Sequence, residues 1–361
     1  MNPDQTLFEA LLARAPYSMA QEEKTALYQR ELSRLTRFHQ AACPDYGQVL
    51  GGLAHQTDVD QSADQQPFLP VRMFKEFALQ SVADADIHKT MTSSGTSGQQ
   101  VSRIFLDKGT AARQTKVLGK IVTDLIGPKR LPMLVIDAKE TIKNRHNFSA
   151  RGAGILGFSL FGRDVTFALD ADMQPNLQRI EAFAEQYTGR EKFIFGFTSI
   201  IFQHFIQPLL AAKLKRDLAG SILLHGGGWK KLEDQAVDNL RYKSMLREAA
   251  EITRVHNYYG MVEQTGSIFT ECDEGHLHCS LFSDIIVRDQ HFSPAPMGNK
   301  GLVQLLSLLP ESYPGHSILS EDIGAILGED DCRCGRLGKY FHIYGRAKQA
   351  EVRGCSDTYA A

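Results

Sequence analysis

Residues Phe193–Gly228 read FIFGFTSIIFQHFIQPLLAAKLKRDLAGSILLHGGG, and the fold class follows from this stretch. Phe193–Phe197 is a short, continuously apolar run of the kind that forms a strand buried on both faces. An apolar helix is expected from there to Lys215. Ile222–Leu224 then repeats the strand signature and runs into Gly226-Gly227-Gly228. The same alternation extends outward. Upstream, Met133–Asp137 and Val165–Leu169 are candidate strands. Pro175 opens a helix that carries Leu177, Ile180, Ala184 and Tyr187 on one face and stops at Gly189. Downstream, a charged helix is expected over Leu232–Ala250 and a strand over Thr253–Tyr258. Strands alternating with helices predict an α/β fold, a largely parallel sheet flanked by helices. Beyond residue 266 short strands such as Asp284–Val287 and Gly301–Ser307 predict a smaller, antiparallel β-rich subregion. At the other end, residues 1–45 predict helices, with Leu7, Leu11 and Leu12, then Leu27, Leu32, Leu35 and Phe38, on core faces.

Composition excludes several function classes. The 361 residues are 43% hydrophobic and 23% charged, ordinary for a chain with a sizeable core. Forty basic residues against forty-two acidic ones leave a net charge of -2, without the basic excess of a nucleic-acid binder. No apolar run approaches the roughly 20 residues that span a bilayer. No basic segment followed by an apolar stretch opens the chain, so a cytoplasmic protein is expected. In that compartment the six cysteines are expected as thiols or metal ligands rather than disulfides.

Five segments combine residue types that chemistry uses. Thr92-Ser93-Ser94-Gly95-Thr96-Ser97-Gly98 alternates hydroxyls with glycines, which can wrap phosphate oxygens or form a plain hairpin turn. No Gly-Lys-Ser/Thr follows, so it is not a Walker A loop. Gly226–Gly228 ends a strand, where α/β sheets bind ligands and bare backbone can lie against a planar base. In Tyr258-Tyr259-Gly260-Met261-Val262-Glu263, a ring can stack on a base and a carboxylate past a glycine turn can hold Mg²⁺. Asp322 in Ser320–Gly324 can accept two sugar hydroxyls, and Arg346 after Gly345 can meet a sugar or phosphate. Taken singly, each is also an ordinary turn. Separately, Cys272, His278, Cys332 and Cys334 could supply four tetrahedral zinc ligands, although their spacing matches no common zinc finger.

In order, Thr-Ser-Ser-Gly-Thr-Ser-Gly, Gly-Gly-Gly, Tyr-Gly-x-x-Glu, Asp-x-Gly and Gly-Arg resemble the adenylate-forming superfamily of acyl ligases over residues 70 to 361. The likeness extends to phenylacetate–CoA ligases. It is narrowest with the acyl-protein synthetases of bacterial fatty acid reductase systems, through His225–Lys231 and Arg353-Gly354-Cys355-Ser356-Asp357. The resemblance implies that Thr92–Gly98 holds ATP phosphates, that Gly226, Gly227, Gly228, Tyr258, Tyr259 and Gly260 border adenine, that Glu263 binds Mg²⁺, and that Asp322 and Arg346 hold the ribose. It implies that Cys355 accepts the acyl group of a fatty acid and passes it to a partner such as an acyl reductase or a carrier protein.

On this reading residues 1–70 are a helical segment packed on a catalytic domain of residues 71–345, and residues 346–361 are a tail. The superfamily's mobile C-terminal lid, with its adenylation lysine, does not fit in 15 residues after Arg346. Lys89, Lys339 and Lys348 are candidate replacements. Two alternatives stay open: an acyl-CoA or acyl-carrier ligase, and a nucleotide-binding accessory subunit without catalysis. Ile155–Phe161 and Phe193–Phe205 could line an acyl pocket or be core.

Overall fold

The computed structural model describes residues 3–52, 62–93, 100–142 and 150–347. Along the chain the strands are β1 (Leu69–Pro70), β2 (Lys89–Thr92), β3 (Arg103–Leu106), β4 (Leu131–Ala138), β5 (Gly162–Leu169), β6 (Lys192–Phe197) and β7 (Ser221–Gly226). They continue as β8 (Arg254–Tyr259), β9 (Phe269–Glu271), β10 (Leu277–His278), β11 (Ser283–Arg288), β12 (Gly301–Ser307), β13 (Ser317–Glu329) and β14 (Lys339–Arg346). The chain divides into two compact units. The first comprises Met1–Ser93, Gln99–Asp124 and Gly260–Ala350, and the core of the second is Leu125–Tyr259. Among the described residues, no helix is long and apolar enough to cross a membrane.

The second unit is the predicted parallel sheet, ordered β5-β4-β6-β7-β8, with every neighbouring pair parallel. Strands β6 and β7 are buried along their whole length, which is why they read as unbroken apolar runs. The edge strand β5 is exposed over Arg163–Val165 and buried at Gly162 and where Phe167–Leu169 turn inward. Phe158 stacks on Phe195 at 4.3 Å, and Phe193, Phe195, Phe197 and Phe205 are almost wholly buried. Each such ring adds about 1.5–3 kcal/mol of burial. The helix expected over Leu232–Ala250 is shorter. A 3₁₀ turn spans Lys230–Gln235, and the helix proper is Asn239–Ala250. The break comes at Asp238, whose side chain accepts the Arg241 N–H at 2.8 Å and so caps the helix there.

The first unit carries the antiparallel strands, ordered β11-β12-β13-β14-β10-β9, with β1 parallel to β13. Helices Pro3–Ala13, Gln21–Ala42 and Pro44–Gly52 belong to this unit, so the N-terminal segment shares a core with the C-terminal strands. Leu27, Leu32 and Leu35 point inward as expected, whereas Phe38 is 42% exposed. His39, next to it, takes the inward place instead: its ring bonds Ser81 at 2.7 Å and stacks on His316 at 5.1 Å. Helix Lys108–Ile126 starts at Asp107, whose carboxylate accepts the Thr110 N–H at 2.7 Å.

Candidate active site

Strands β2 and β3 form a hairpin with Thr92 opposite Arg103. Its neck is closed by Ser93 N–H to Ser102 O at 3.1 Å and by Ser102 N–H to Ser93 Oγ at 2.9 Å. Between them Ser94, Gly95, Thr96, Ser97 and Gly98 lie outside the described residues. Thr92 is exposed and Ser93 half-buried at the mouth.

Ser102 links this neck to Glu263. The serine is buried, and its hydroxyl is near enough to the Glu263 carboxylate to help lower its pKa. Glu263 sits in the turn Val262–Gln264, 5% exposed. The turn is pinned from several sides. The Tyr313 hydroxyl donates to Glu263 O at 2.9 Å, and Gln264 Nε2 donates to Gly315 O at 2.8 Å and to Leu305 O at 3.1 Å. Gly266 closes it at φ +91, where a Cβ would lie 2.6 Å from the Gln114 carbonyl oxygen, so only glycine fits. Burial pushes the Glu263 carboxyl above its ordinary range, while the Ser102 hydroxyl and the more distant Arg346 pull it back down. A buried carboxylate whose nearest help is a neutral hydroxyl favours an added cation.

Arg346 and Asp322 face each other across β13 and β14. Arg346 reaches Asp322 Oδ1 and Glu321 Oε2 at 3.9 Å each, and its side chain stays one-third exposed (33%). Of the candidate lysines, Lys339 is engaged elsewhere: its ammonium bonds Asp284 Oδ2 at 3.1 Å and Ile285 O at 3.0 Å, and Lys24 stands 3.8 Å from the other Asp284 oxygen. Lys89 is exposed at the end of β2 away from the loop. Lys348 and Cys355 lie outside the described residues.

In the second unit, Gly226 and Tyr258 are register partners at the carboxyl ends of β7 and β8. The Tyr258 ring lies across Gly226, where a Cβ would approach it to 2.6 Å. Gly227 has φ +89 and a Cβ there would meet Phe197 at 2.9 Å, while Gly228 has φ +64 and open space. Thr198 fixes the strand end, bonding His225 Nδ1 at 2.9 Å and donating to Gly226 O at 3.1 Å. Tyr258 also packs on Phe158 at 5.2 Å, and Tyr259, the next residue on the strand, points to the opposite face. Trp229 is packing, edge-on to Phe202 at 4.8 Å and to Tyr242 at 5.8 Å.

Cys272, His278, Cys332 and Cys334, all in the first unit, converge so that their ligand atoms lie within 4.8 Å of one another. The sequence reading missed Ser102 and Tyr313, since nothing marks a serine after Val101 or a tyrosine before Pro314 as special.

The long-chain-fatty-acid–luciferin-component ligase of Vibrio harveyi is 22% identical over 360 residues, covering 94% of this chain and 89% of that protein. Among solved structures, 2-hydroxyisobutyryl-CoA ligase with 2-hydroxyisobutyryl-AMP and CoA, in an open conformation, shares the fold at TM-score 0.67 and 15% identity, over 92% of this chain and 77% of that one. The same enzyme in its post-adenylation state gives TM-score 0.67 and 15% identity, over 92% and 70%. Residues 4–361 match the profile of the family described as acyl-protein synthetase, LuxE, and the chain therefore belongs to that family.

Proposed function

We propose that this ligase joins a long-chain carboxylic acid to ATP as an acyl-adenylate, takes the acyl group onto Cys355 as a thioester, and hands it to a partner protein. Family membership supports acyl activation and transfer. The long-chain substrate rests on the likeness to the Vibrio harveyi ligase. The observation that carries the residue assignment is Glu263, a buried carboxylate near Ser102 at the neck of the Ser/Thr/Gly loop, in the unit that also pairs Asp322 with Arg346.

Glu263 would hold Mg²⁺, a hard cation suited to one carboxylate plus phosphate oxygens, and the bound ion would neutralise charge on the phosphates. Backbone N–H groups and hydroxyls of Thr92–Gly98 would surround those phosphates. Asp322 would accept the ribose hydroxyls and Arg346 would reach sugar or phosphate. Gly226–Gly228 and a ring of Tyr258 or Tyr259 would border the adenine. In the first step a carboxylate oxygen of the acid attacks the α-phosphorus, the bond from that phosphorus to the bridging oxygen breaks, and pyrophosphate leaves. In the second step the Cys355 thiol loses its proton, its sulfur attacks the acyl carbonyl, and AMP leaves. Positioning and charge neutralisation supply most of the acceleration in such transfers.

The test is incubation with Mg-ATP and a radiolabelled long-chain fatty acid. Pyrophosphate should appear, and label should survive denaturation but yield to hydroxylamine. Cys355→Ser should keep pyrophosphate release and lose the label. Pyrophosphate without label on the wild-type protein would remove Cys355 as acceptor and point to a soluble thiol such as CoA. No pyrophosphate with short, medium or long acids would end the adenylation reading.

A further inference from the structure

We infer that Cys272, His278, Cys332 and Cys334 bind one structural zinc ion that staples two hairpins of the first unit. Zinc favours four tetrahedral ligands, and three thiolates with one imidazole are a common structural set. Zn–S bonds of about 2.3 Å and Zn–N bonds of about 2.0–2.1 Å imply ligand-to-ligand edges of roughly 3.5–3.8 Å. Here Cys272 Sγ lies 4.0 Å from Cys332 Sγ, Cys334 Sγ lies 3.4 Å from His278 Nε2, and no ligand pair exceeds 4.8 Å.

The backbone is shaped to present these atoms. Cys272 ends the β9 arm of a tight hairpin, in which its N–H bonds His276 O at 2.9 Å and Gly275 N–H returns to Cys272 O at 3.0 Å. Cys332 and Cys334 lie in the turn between β13 and β14, where Gly335, at φ +80, sends its N–H to Cys332 O at 3.0 Å. Strand β10 pairs with β14, His278 opposite Tyr340, which brings the two turns together.

A second, independent observation is the state of His278. Its ring is wholly buried. Nε2 lies 3.4 Å from the Cys334 thiol and within 4.8 Å of the other two, and Nδ1 has no hydrogen-bond partner among the described residues. Nε2 has only sulfur near it and no oxygen partner, and coordination of zinc by that nitrogen would offset the cost of burying it.

The surroundings suit a zinc–thiolate centre, which carries net negative charge. His276 is not a ligand, but its Nδ1 lies 3.5 Å from Cys332 Sγ, in position to donate to that sulfur. Arg336 supplies positive charge close by, over the Tyr17 ring at 4.1 Å and bonded to Thr270 O at 3.4 Å. Tyr340 stacks on His276 at 4.9 Å and on His278 at 5.6 Å, fixing both rings.

The ion is remote from the nucleotide residues. Asp322 lies seven residues from Glu329, the end of β13 nearest the cysteines, which is about 23 Å of extended strand. Its work is therefore to lock the closed end of the β13–β14 hairpin to β9–β10.

The full-length chain, expressed with zinc in the medium and purified without chelator, should contain about one zinc per chain by mass spectrometry of the metal. Cys332→Ser and His278→Ala should each reduce this to below about a tenth. Should those variants fail to fold, Co²⁺ added to metal-stripped wild-type protein decides: intense visible bands and a sulfur-to-cobalt charge-transfer band mark tetrahedral thiolate ligation. Melting temperature should fall on stripping and return with zinc. Less than about a tenth of a zinc per chain, together with no such cobalt bands, would overturn the inference. So would zinc that stays in both variants and leaves with Cys355→Ser.

Discussion

Glu263→Gln separates a carboxylate kept for a cation from one kept for the fold. Glutamine preserves the volume and an oxygen for the Ser102 hydroxyl, so the change removes one unit of negative charge from a side chain that is 5% exposed. At an effective dielectric of about 20, a unit charge acting over about 4 Å is worth about 4 kcal/mol. Removing one preorganised charge-stabilising group from an active site costs about 3–4 kcal/mol in measured cases. Either figure predicts a loss of about 10²–10³-fold in pyrophosphate release at saturating acid. Stability should move the other way. Burial raises the carboxyl in the folded state above its unfolded value. The stability this group contributes is therefore present below the unfolded pKa and lost as pH rises through the folded pKa. Ionisation of this buried carboxyl is a burden on the metal-free fold, and glutamine relieves it. Differential scanning fluorimetry of the metal-free variant at neutral pH should show a melting temperature equal to or above wild type, and added Mg²⁺ should stabilise wild type more than the variant. A variant that releases pyrophosphate at the wild-type rate, or one that melts well below wild type, would show that Glu263 serves packing and not a cation.

Three further outcomes follow from the geometry. Gly266→Ala places a Cβ 2.6 Å from the Gln114 carbonyl oxygen at φ +91, so urea titration should show a loss of at least about 3 kcal/mol or little soluble protein, whereas Gly51→Ala, in open space, should change little. Breaking the fully buried Arg151–Asp137 pair with Asp137→Asn should cost about 3–5 kcal/mol by the same titration, and a paired apolar replacement of both should cost less. Burial holds His39 down to about 3 and His316 well below its ordinary value, so both stay neutral in the fold while the unfolded chain protonates near 6.5. Their contribution is lost as pH falls below that unfolded value, about 2 kcal/mol for each ring between pH 7 and 5, which urea midpoints measured at pH 7, 6 and 5 would register.

The legibility of this chain in its sequence divides by how costly each residue is to keep. Strands β4, β6 and β7 could be read because a parallel strand covered on both faces must be apolar at every position, and few other structures require that. The convergence of Cys272, His278, Cys332 and Cys334 could be anticipated although their spacing matched no known motif, since thiols and a histidine gathered in the last quarter of the chain suggest a common place through residue type alone. Gly226–Gly228 stood out for the same reason, and the Tyr258 ring lying on Gly226 shows what the absent side chain makes room for. Ser102 could not be read. Its role comes wholly from the hairpin neck that turns it toward a glutamate distant in sequence, and a serine in that stretch has many equally good local explanations. The same logic explains the two local misreadings. Phe38 looked like core because its spacing fits the inward face, but His39 found hydrogen-bond partners at Ser81 and Pro310 that a phenylalanine cannot use. The helix at 232–250 looked continuous because most of its charged residues, Glu233, Arg241, Lys243, Arg247 and Glu248, are good helix formers, but Asp238 offered a better start. Sites built from ordinary polar residues thus become visible only once the fold has supplied their partners. Ser102 and Glu263 are such a case: each is an unremarkable residue in the sequence, and only the fold buries them near one another.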